Sequence, residues 1–250
     1  MSWTGDPVWL ADVLREEGLR VIEHDGWRNR GHGDMRDLRG VVCHHTGGGG
    51  ASDWETVQNG RPDLPGPLAH LVLEKDGTYR VIAAGVCWHA GRGSWPGWPT
   101  NDANYYTIGI EAVSVGNGRD WTAAQLDAYK RGCAAILRRI GRGSGDCVGH
   151  WEYSSEGKKD PAGIDMNAFR REVQVLIDRK DAPMSAAEVK QIQDFIKGFC
   201  GPIGSDAKDI REQLCGQGSR DSGQFTGWRQ LGGKSVVDAL ADIRNRVLSR

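Results

Sequence analysis

The stretch Gly149-His150-Trp151-Glu152-Tyr153-Ser154-Ser155-Glu156-Gly157-Lys158-Lys159-Asp160-Pro161 puts an imidazole, three acids and two lysines into one short segment. A Gly- and Ser-bearing loop of this kind can fold back on itself. His150 and Asp160 can then converge on one divalent ion, with Pro161 stiffening the exit beside the second ligand. A third donor must come from elsewhere, and the best one is His44 in Arg39-Gly40-Val41-Val42-Cys43-His44-His45-Thr46. There an apolar run ends in two histidines and opens into Gly47 to Gly50, the pattern of a buried strand leading into a loop. Two neutral imidazoles and one carboxylate leave a tetrahedral zinc ion one open position for water, which is the arrangement of a hydrolytic site. The residue types alone leave a plainer use equally open, in which His150 caps a loop, His44 and His45 satisfy backbone groups at a strand end, and Asp160 merely precedes a proline.

Three motifs taken together carry a resemblance. His44-His45-Thr46 after an apolar strand, Ile108-Gly109-Ile110-Glu111 in mid-chain, and His150 followed by Gly157-Lys158-Lys159-Asp160-Pro161 resemble the zinc-dependent N-acetylmuramoyl-L-alanine amidases. That family includes phage lysins and the related peptidoglycan recognition proteins, and the likeness runs from about Val41 to Val173. It implies hydrolysis of the amide between the lactyl group of N-acetylmuramic acid and the first L-alanine of the stem peptide in bacterial peptidoglycan. The metal would be Zn2+, held by His44, His150 and Asp160. His44 is preferred to His45 because strand alternation sends neighbours to opposite faces and the family motif uses the first histidine.

Around the metal the resemblance assigns Glu111 as the base that takes a proton from the attacking water, and Lys158 as the cation that steadies the oxyanion. The competing roles are supporting ones, Glu111 orienting a ligand and Lys158 pairing with Asp160 or Glu156. His45, His70, His89, Trp95 and Trp98 are the expected substrate contacts, because flat indoles suit a sugar-peptide surface and the 87–98 loop is kept irregular by glycine and proline. Trp88 is expected to be buried.

Readings from other classes rest on less. A muropeptide-binding module without activity would be expected to lack a ligand, whereas His44, His150 and Asp160 are all present. His32-Gly33-Asp34 is an H-x-D pair that could join His150 in a non-haem iron site, but no arginine-bearing strand for an oxo-acid accompanies it. A nucleobase deaminase, suggested by His150-Trp151-Glu152, lacks the paired downstream cysteines.

Net charge is −1 and no basic run stands out, which argues against a nucleic-acid partner. The first twenty residues carry acids and tryptophan rather than a basic start and an apolar core, so they do not read as a secretory signal. No apolar run is long enough to span a membrane. The expectation is a protein made in a host cytoplasm that reaches the wall after release, as a phage endolysin does. The six cysteines have no metal-type close spacing and are expected to be mostly reduced.

The elements that must position these residues follow from periodicity. A short helix is expected in Pro7–Gly18 and a strand at Leu19–Ile22, and Ser52-Asp53-Trp54-Glu55 has capping-box spacing for a helix after the glycine run. Ala69–Glu74 and Thr78–Ile82 flank Asp76-Gly77 as a hairpin, and Asn104–Val113 is a central strand interrupted by Glu111. Thr122 caps a helix whose stripe is Leu126, Tyr129, Cys133, Ile136, Leu137 and Ile140, closed by Gly141. Met166–Arg179 is a further helix, with Phe169, Val173 and Leu176 inward. The fold expected is α/β, a mixed central sheet flanked by helices over residues 1–180. A linker at 181–184 then leads to a small helical module at 185–250, whose role is wall binding or self-association. In that module Ser185 caps a helix bearing Val189, Ile192, Ile196 and Phe199 that stops at Gly201-Pro202. A second helix lies near Ala207–Leu214, and a third covers Ser235–Leu248. Trp228-Arg229-Gln230-Leu231-Gly232-Gly233 is similar to the tails of lysins from phages of actinobacteria.

Overall fold

The computed structural model describes residues 5–181, 186–216, 218–222 and 227–248. The chain divides into two units, Met1–Ala182 and Pro183–Arg250. The expected linker at 181–184, apart from Asp181, and the expected cap at Ser185 lie outside the described residues.

The first unit begins with α1 (Leu10–Glu16), which buries Leu10, Ala11, Val13 and Leu14, and β1 (Val21–Glu23). β2 (Gly40–His45) is buried along nearly its whole length. α2 (Asp53–Asn59) follows, then a two-stranded ribbon of β3 (Gly60–Arg61) and β4 (Leu64–Pro65). β5 (Leu71–Leu73) and β6 (Tyr79–Val81) pair antiparallel as the expected hairpin. β7 (Thr107–Ala112), α3 (Ala123–Arg139), β8 (Cys147–Gly149), α4 (His150–Tyr153) and α5 (Met166–Asp181) complete the unit.

The sheet runs β1-β6-β5-β7-β2-β8, with β5 against β6 the antiparallel pair and the remaining neighbours parallel. Strands buried on both faces read as continuous apolar runs, which is why β2 and β7 showed no alternation in sequence. Helices α1, α3 and α5 cover one face. Thr122 Oγ1 accepts from Gln125 N–H at 3.0 Å to start α3, and its buried Tyr129, Cys133, Ile136 and Leu137 enter the main core beside Ile108 and Ile110. Each such aliphatic side chain contributes about 1.5–3 kcal/mol by leaving water. Tyr129 also fastens strand ends, its hydroxyl donating to the carbonyls of His44 (3.0 Å) and Ile110 (3.2 Å).

Two local expectations change. Ser52 makes no side-chain cap. The carboxylate of Asp53 instead accepts from the N–H of Gly49 and Gly50 and from the hydroxyl of Thr46, because a carboxylate gathers several donors where a hydroxyl takes one. In the second unit, α6 (Ala186–Cys215) continues through Pro202, so the helix expected near Ala207 is its second half. Pro202 is exposed, and the carbonyl that loses its N–H partner there can bond to water, so the chain is not forced to stop. α7 (Ser219–Ser222) and α8 (Val236–Leu248) follow, with Ser235 Oγ accepting from Asp238 N–H at 3.1 Å before the last helix. No helix among the described residues is long and apolar enough to cross a membrane.

Candidate metal centre

Three neighbouring parallel strands end together at one place. β7 pairs with β2 so that Glu111 lies beside His44, and β8 pairs with the other side of β2 so that Gly149 lies beside Cys43. His150 opens α4 immediately after Gly149. Its position is set by Glu152, whose carboxylate accepts from Gly149 N–H at 2.9 Å and pairs with Arg170 at 2.7 and 2.9 Å. The segment expected as one loop is therefore a single helical turn and then a loop. It closes on itself where Trp151 N–H donates to the carbonyl of Asp160 at 3.0 Å.

Strand alternation turns Cys43 toward the main core and His44 toward the opposite face. There His44 Nδ1 lies 3.0 Å from His150 Nδ1 and 2.9 Å from Asp160 Oδ2, and His150 Nδ1 lies 2.8 Å from the same oxygen. His44 and His150 are 1% and 4% exposed, so water cannot keep these atoms apart. Burial, and then the neighbouring His150, hold His44 down at about 4, so its ring is neutral. Burial alone would raise Asp160; hydrogen bonds from protonated His150 and His44 would outweigh it and hold the carboxyl well below the usual carboxylate range, so an ionised Asp160 needs positive charge at these nitrogens.

The far side of each ring fixes its protons. His150 Nε2 is 3.1 Å from the carbonyl of Ala90, which can only accept. His89 Nε2 is 3.2 Å from the carbonyl of Thr107, so His89 donates there and offers a lone pair at Nδ1. His44 Nε2 meets that lone pair at 3.2 Å and must donate. A neutral His44 then points a lone pair at an ionised carboxylate oxygen 2.9 Å away, which is repulsive unless a cation lies between them. The donor set, two imidazole nitrogens and a carboxylate oxygen, suits zinc.

Glu111 and Lys158 flank this cluster. One oxygen of Glu111, Oε2, is enclosed without a hydrogen-bond partner, and burial, then the charge of Asp160, push the carboxyl up to about 8. It lines a cavity of about 200 Å³ with Thr46, Asp53, Thr56, Arg61 and Leu68. Lys158 is exposed and lines a second cavity of about 380 Å³ with Leu64, Trp88, His89, Asn104 and Glu156.

The expected substrate contacts are distributed differently. His70 is wholly buried, its Nδ1 accepting from Gly109 N–H at 3.1 Å, and burial holds it down at about 3; it belongs to the interior because it leads directly into β5, which is buried at every position. His89 is 7% exposed and faces His44. His45, on the opposite strand face from His44, is half-buried with Nδ1 accepting from Ala162 N–H at 3.0 Å. The tryptophans depart from their expected places in part, since Trp98 is buried, Trp88 is only half-buried and Trp95 stays half-exposed. Trp98 is buried, its indole N–H bonded to Asp146 Oδ1 at 2.9 Å, and Trp95 packs beside it with its N–H on the carbonyl of Gly145. Trp88 is the one on a cavity wall, stacked on His32 with ring centroids 4.5 Å apart. An indole buries well where its N–H finds an acceptor, and Asp146 supplies one to Trp98. His32 is thereby engaged with Trp88 and Asp34 is exposed, so the H-x-D pair does not join the His150 cluster.

Sequence reasoning missed Asn104, whose side-chain oxygen accepts from the N–H of both His89 (3.0 Å) and Ala90 (2.8 Å). A single asparagine before an aromatic strand gave no signal for it. The six cysteines are free. Cys43, Cys133 and Cys147 gather behind β2, with Cys43 Sγ 3.7 Å from Cys147 Sγ and 3.9 Å from Cys133 Sγ, and all three belong to the main core.

The profile of the N-acetylmuramoyl-L-alanine amidase family matches residues 34–163, and that of the Rv3766 C-terminal domain matches residues 185–249. No curated protein matches the chain. Among solved structures, AmpDh3 from Pseudomonas aeruginosa in complex with anhydromuramic pentapeptide is 18% identical, with 68% of this chain and 77% of that one covered at a TM-score of 0.47. The endolysin N-acetylmuramoyl-L-alanine amidase LysCS from Clostridium intestinale is 18% identical, with 62% and 95% covered at 0.46. The amidase AmiD from E. coli, complexed with anhydro-N-acetylmuramic acid-L-Ala-D-gamma-Glu-L-Lys, is 19% identical, with 60% and 65% covered at 0.44. Since the first profile takes in just over half of the residues, the chain belongs to the N-acetylmuramoyl-L-alanine amidase family.

Proposed function

We propose that His44 and His150 through Nδ1 and Asp160 through Oδ2 hold one zinc ion, and that the enzyme hydrolyses the bond between N-acetylmuramic acid and L-alanine in bacterial peptidoglycan. The observation that carries this reading is the convergence of those three atoms, 2.8–3.0 Å from one another, with too few protons to reconcile them. When bound, zinc supplies Lewis acidity, polarising the scissile carbonyl and bringing the acidity of water toward neutral pH. Glu111, beside His44 on the neighbouring strand, takes the proton of the attacking water in its ionised form and later delivers it to the departing alanine nitrogen. Lys158 brings its ammonium to the oxygen that gains charge as the carbonyl becomes tetrahedral. Trp88 offers an indole to the substrate on the Lys158 side. Mass spectrometry of digested peptidoglycan tests the reaction. Free stem peptides beginning at L-alanine, with intact glycan strands, are the expected products, and glycan or inter-peptide cleavage would overturn it.

For the setting, we read the protein as a phage lysin that meets the wall once the membrane has been breached. Expression inside a bacterium tests this: lysis that needs a membrane-permeabilising partner supports it, and no lysis with the partner overturns it. Residues 185–250 we assign to retention on the wall. Their removal should spare cleavage of soluble muropeptide and slow digestion of whole walls. A change of oligomeric state alone would instead make them an assembly module.

A further inference from the structure

Two adjacent residues of the 87–98 loop reach both imidazoles of the metal cluster. The ring of His89 takes the Nε2 proton of His44, and the carbonyl of Ala90 takes the Nε2 proton of His150. The polarity of this arrangement is anchored in the backbone, because the Thr107 carbonyl beyond His89 and the Ala90 carbonyl itself can only accept. Both chains of hydrogen bonds therefore place the lone pair of each ligand histidine on Nδ1, the atom facing Asp160. The dipeptide is itself pinned, since the side-chain oxygen of Asn104 accepts from both of its N–H groups, at 3.0 and 2.8 Å. His89 is further seated against Gly109, where any added Cβ would come within 2.6 Å of the imidazole.

We propose that His89 and Ala90 act as a two-pronged clamp, held by Asn104, that sets the tautomer and ring orientation of both histidine ligands. His89 and Asn104 are thus positioning residues rather than substrate contacts. The idea rests on the metal reading above and specifies how the apoprotein is prepared for the ion. A ligand ring whose far nitrogen has a fixed acceptor keeps its near nitrogen unprotonated and aimed, and loss of such a partner typically weakens metal binding about 10–100-fold.

The test is zinc affinity, measured by chelator competition on the full chain, for the wild type, His89→Leu, Asn104→Ala and Asn104→Asp. His89→Leu removes the acceptor for His44, and Asn104→Ala releases the dipeptide. Both should bind zinc about 10–100-fold more weakly. Asn104→Asp keeps an oxygen that accepts from both N–H groups and should recover most of that loss. Nitrogen NMR of the metal-free protein should show His44 and His150 protonated at Nε2 in the wild type, with His44 in mixed tautomers in His89→Leu. Wild-type affinity in His89→Leu would overturn the clamp, as would equal losses in the two Asn104 variants. A wild-type chain that binds no zinc would bring down the metal reading itself, whereas zinc-binding variants identical to wild type bring down only the clamp.

Discussion

His44 and His150 have both ring nitrogens of each imidazole engaged, whereas Glu111 keeps an enclosed oxygen with no partner and Lys158 extends into a cavity open to solvent. The first group is held by hydrogen bonds that end on backbone carbonyls. The second is held only by the strand and loop that carry it. Atoms that must meet an ion at fixed distances gain from rigid partners, because each misplaced donor weakens binding. Atoms that must take up or face charge during a reaction gain from being unspent, because a partner already present would have to be displaced.

This contrast is broken most severely from the metal side. His44→Ala, His150→Ala or Asp160→Ala should each abolish stoichiometric zinc and lower turnover by on the order of a thousandfold or more, since the Lewis acid goes with the ligand. His45→Ala should keep its zinc, because His45 Nδ1 is turned to Ala162 N–H. Metal analysis of the four variants decides the matter, and zinc retained in His44→Ala but lost in His45→Ala would reverse the assignment.

The flanking groups should separate the two functions. Glu111→Gln and Lys158→Ala are expected to bind zinc as the wild type does while losing on the order of a hundredfold in turnover, the scale of one acid-base or oxyanion contact. If either loses zinc in proportion to its activity, that residue belongs with the metal donors and the contrast dissolves.

The remaining effect is on stability and is read in metal-free protein. Glu111 sits at about 8 in the fold against an unfolded value of about 4.3. Its folded pKa is raised, so the stability linked to its protonated form is fully present below the unfolded value and is lost as pH rises through 8. Denaturant melts of wild type and Glu111→Gln between pH 4 and 9 should therefore show the wild type losing ground to the variant across that window. A difference that stays level with pH would mean that the carboxyl is hydrated and free to ionise.

The residues of the site were legible before the fold was, because their chemistry is local: His44-His45 at the end of an apolar run, Glu111 interrupting another, and an imidazole ten residues before an aspartate each leave a mark in the sequence. The hairpin, the Thr122 cap and the stripe of α3 were legible for the same reason, each depending on neighbours within a few positions, whereas the cap expected at Ser52 did not form. Strand order was not. β8 is three residues long, and only its pairing beside β2 brings His150 to His44, 106 positions away in the chain. The tertiary structure also decided that Trp98 is buried, its indole meeting an acceptor on Asp146, 48 positions distant. It placed His89 and Asn104 as well, since a hydrogen-bond chain from Thr107 through His89 to His44 joins three separate segments. Composition and spacing thus determined which groups were available as metal donors, while long-range pairing determined which of them share one point in space.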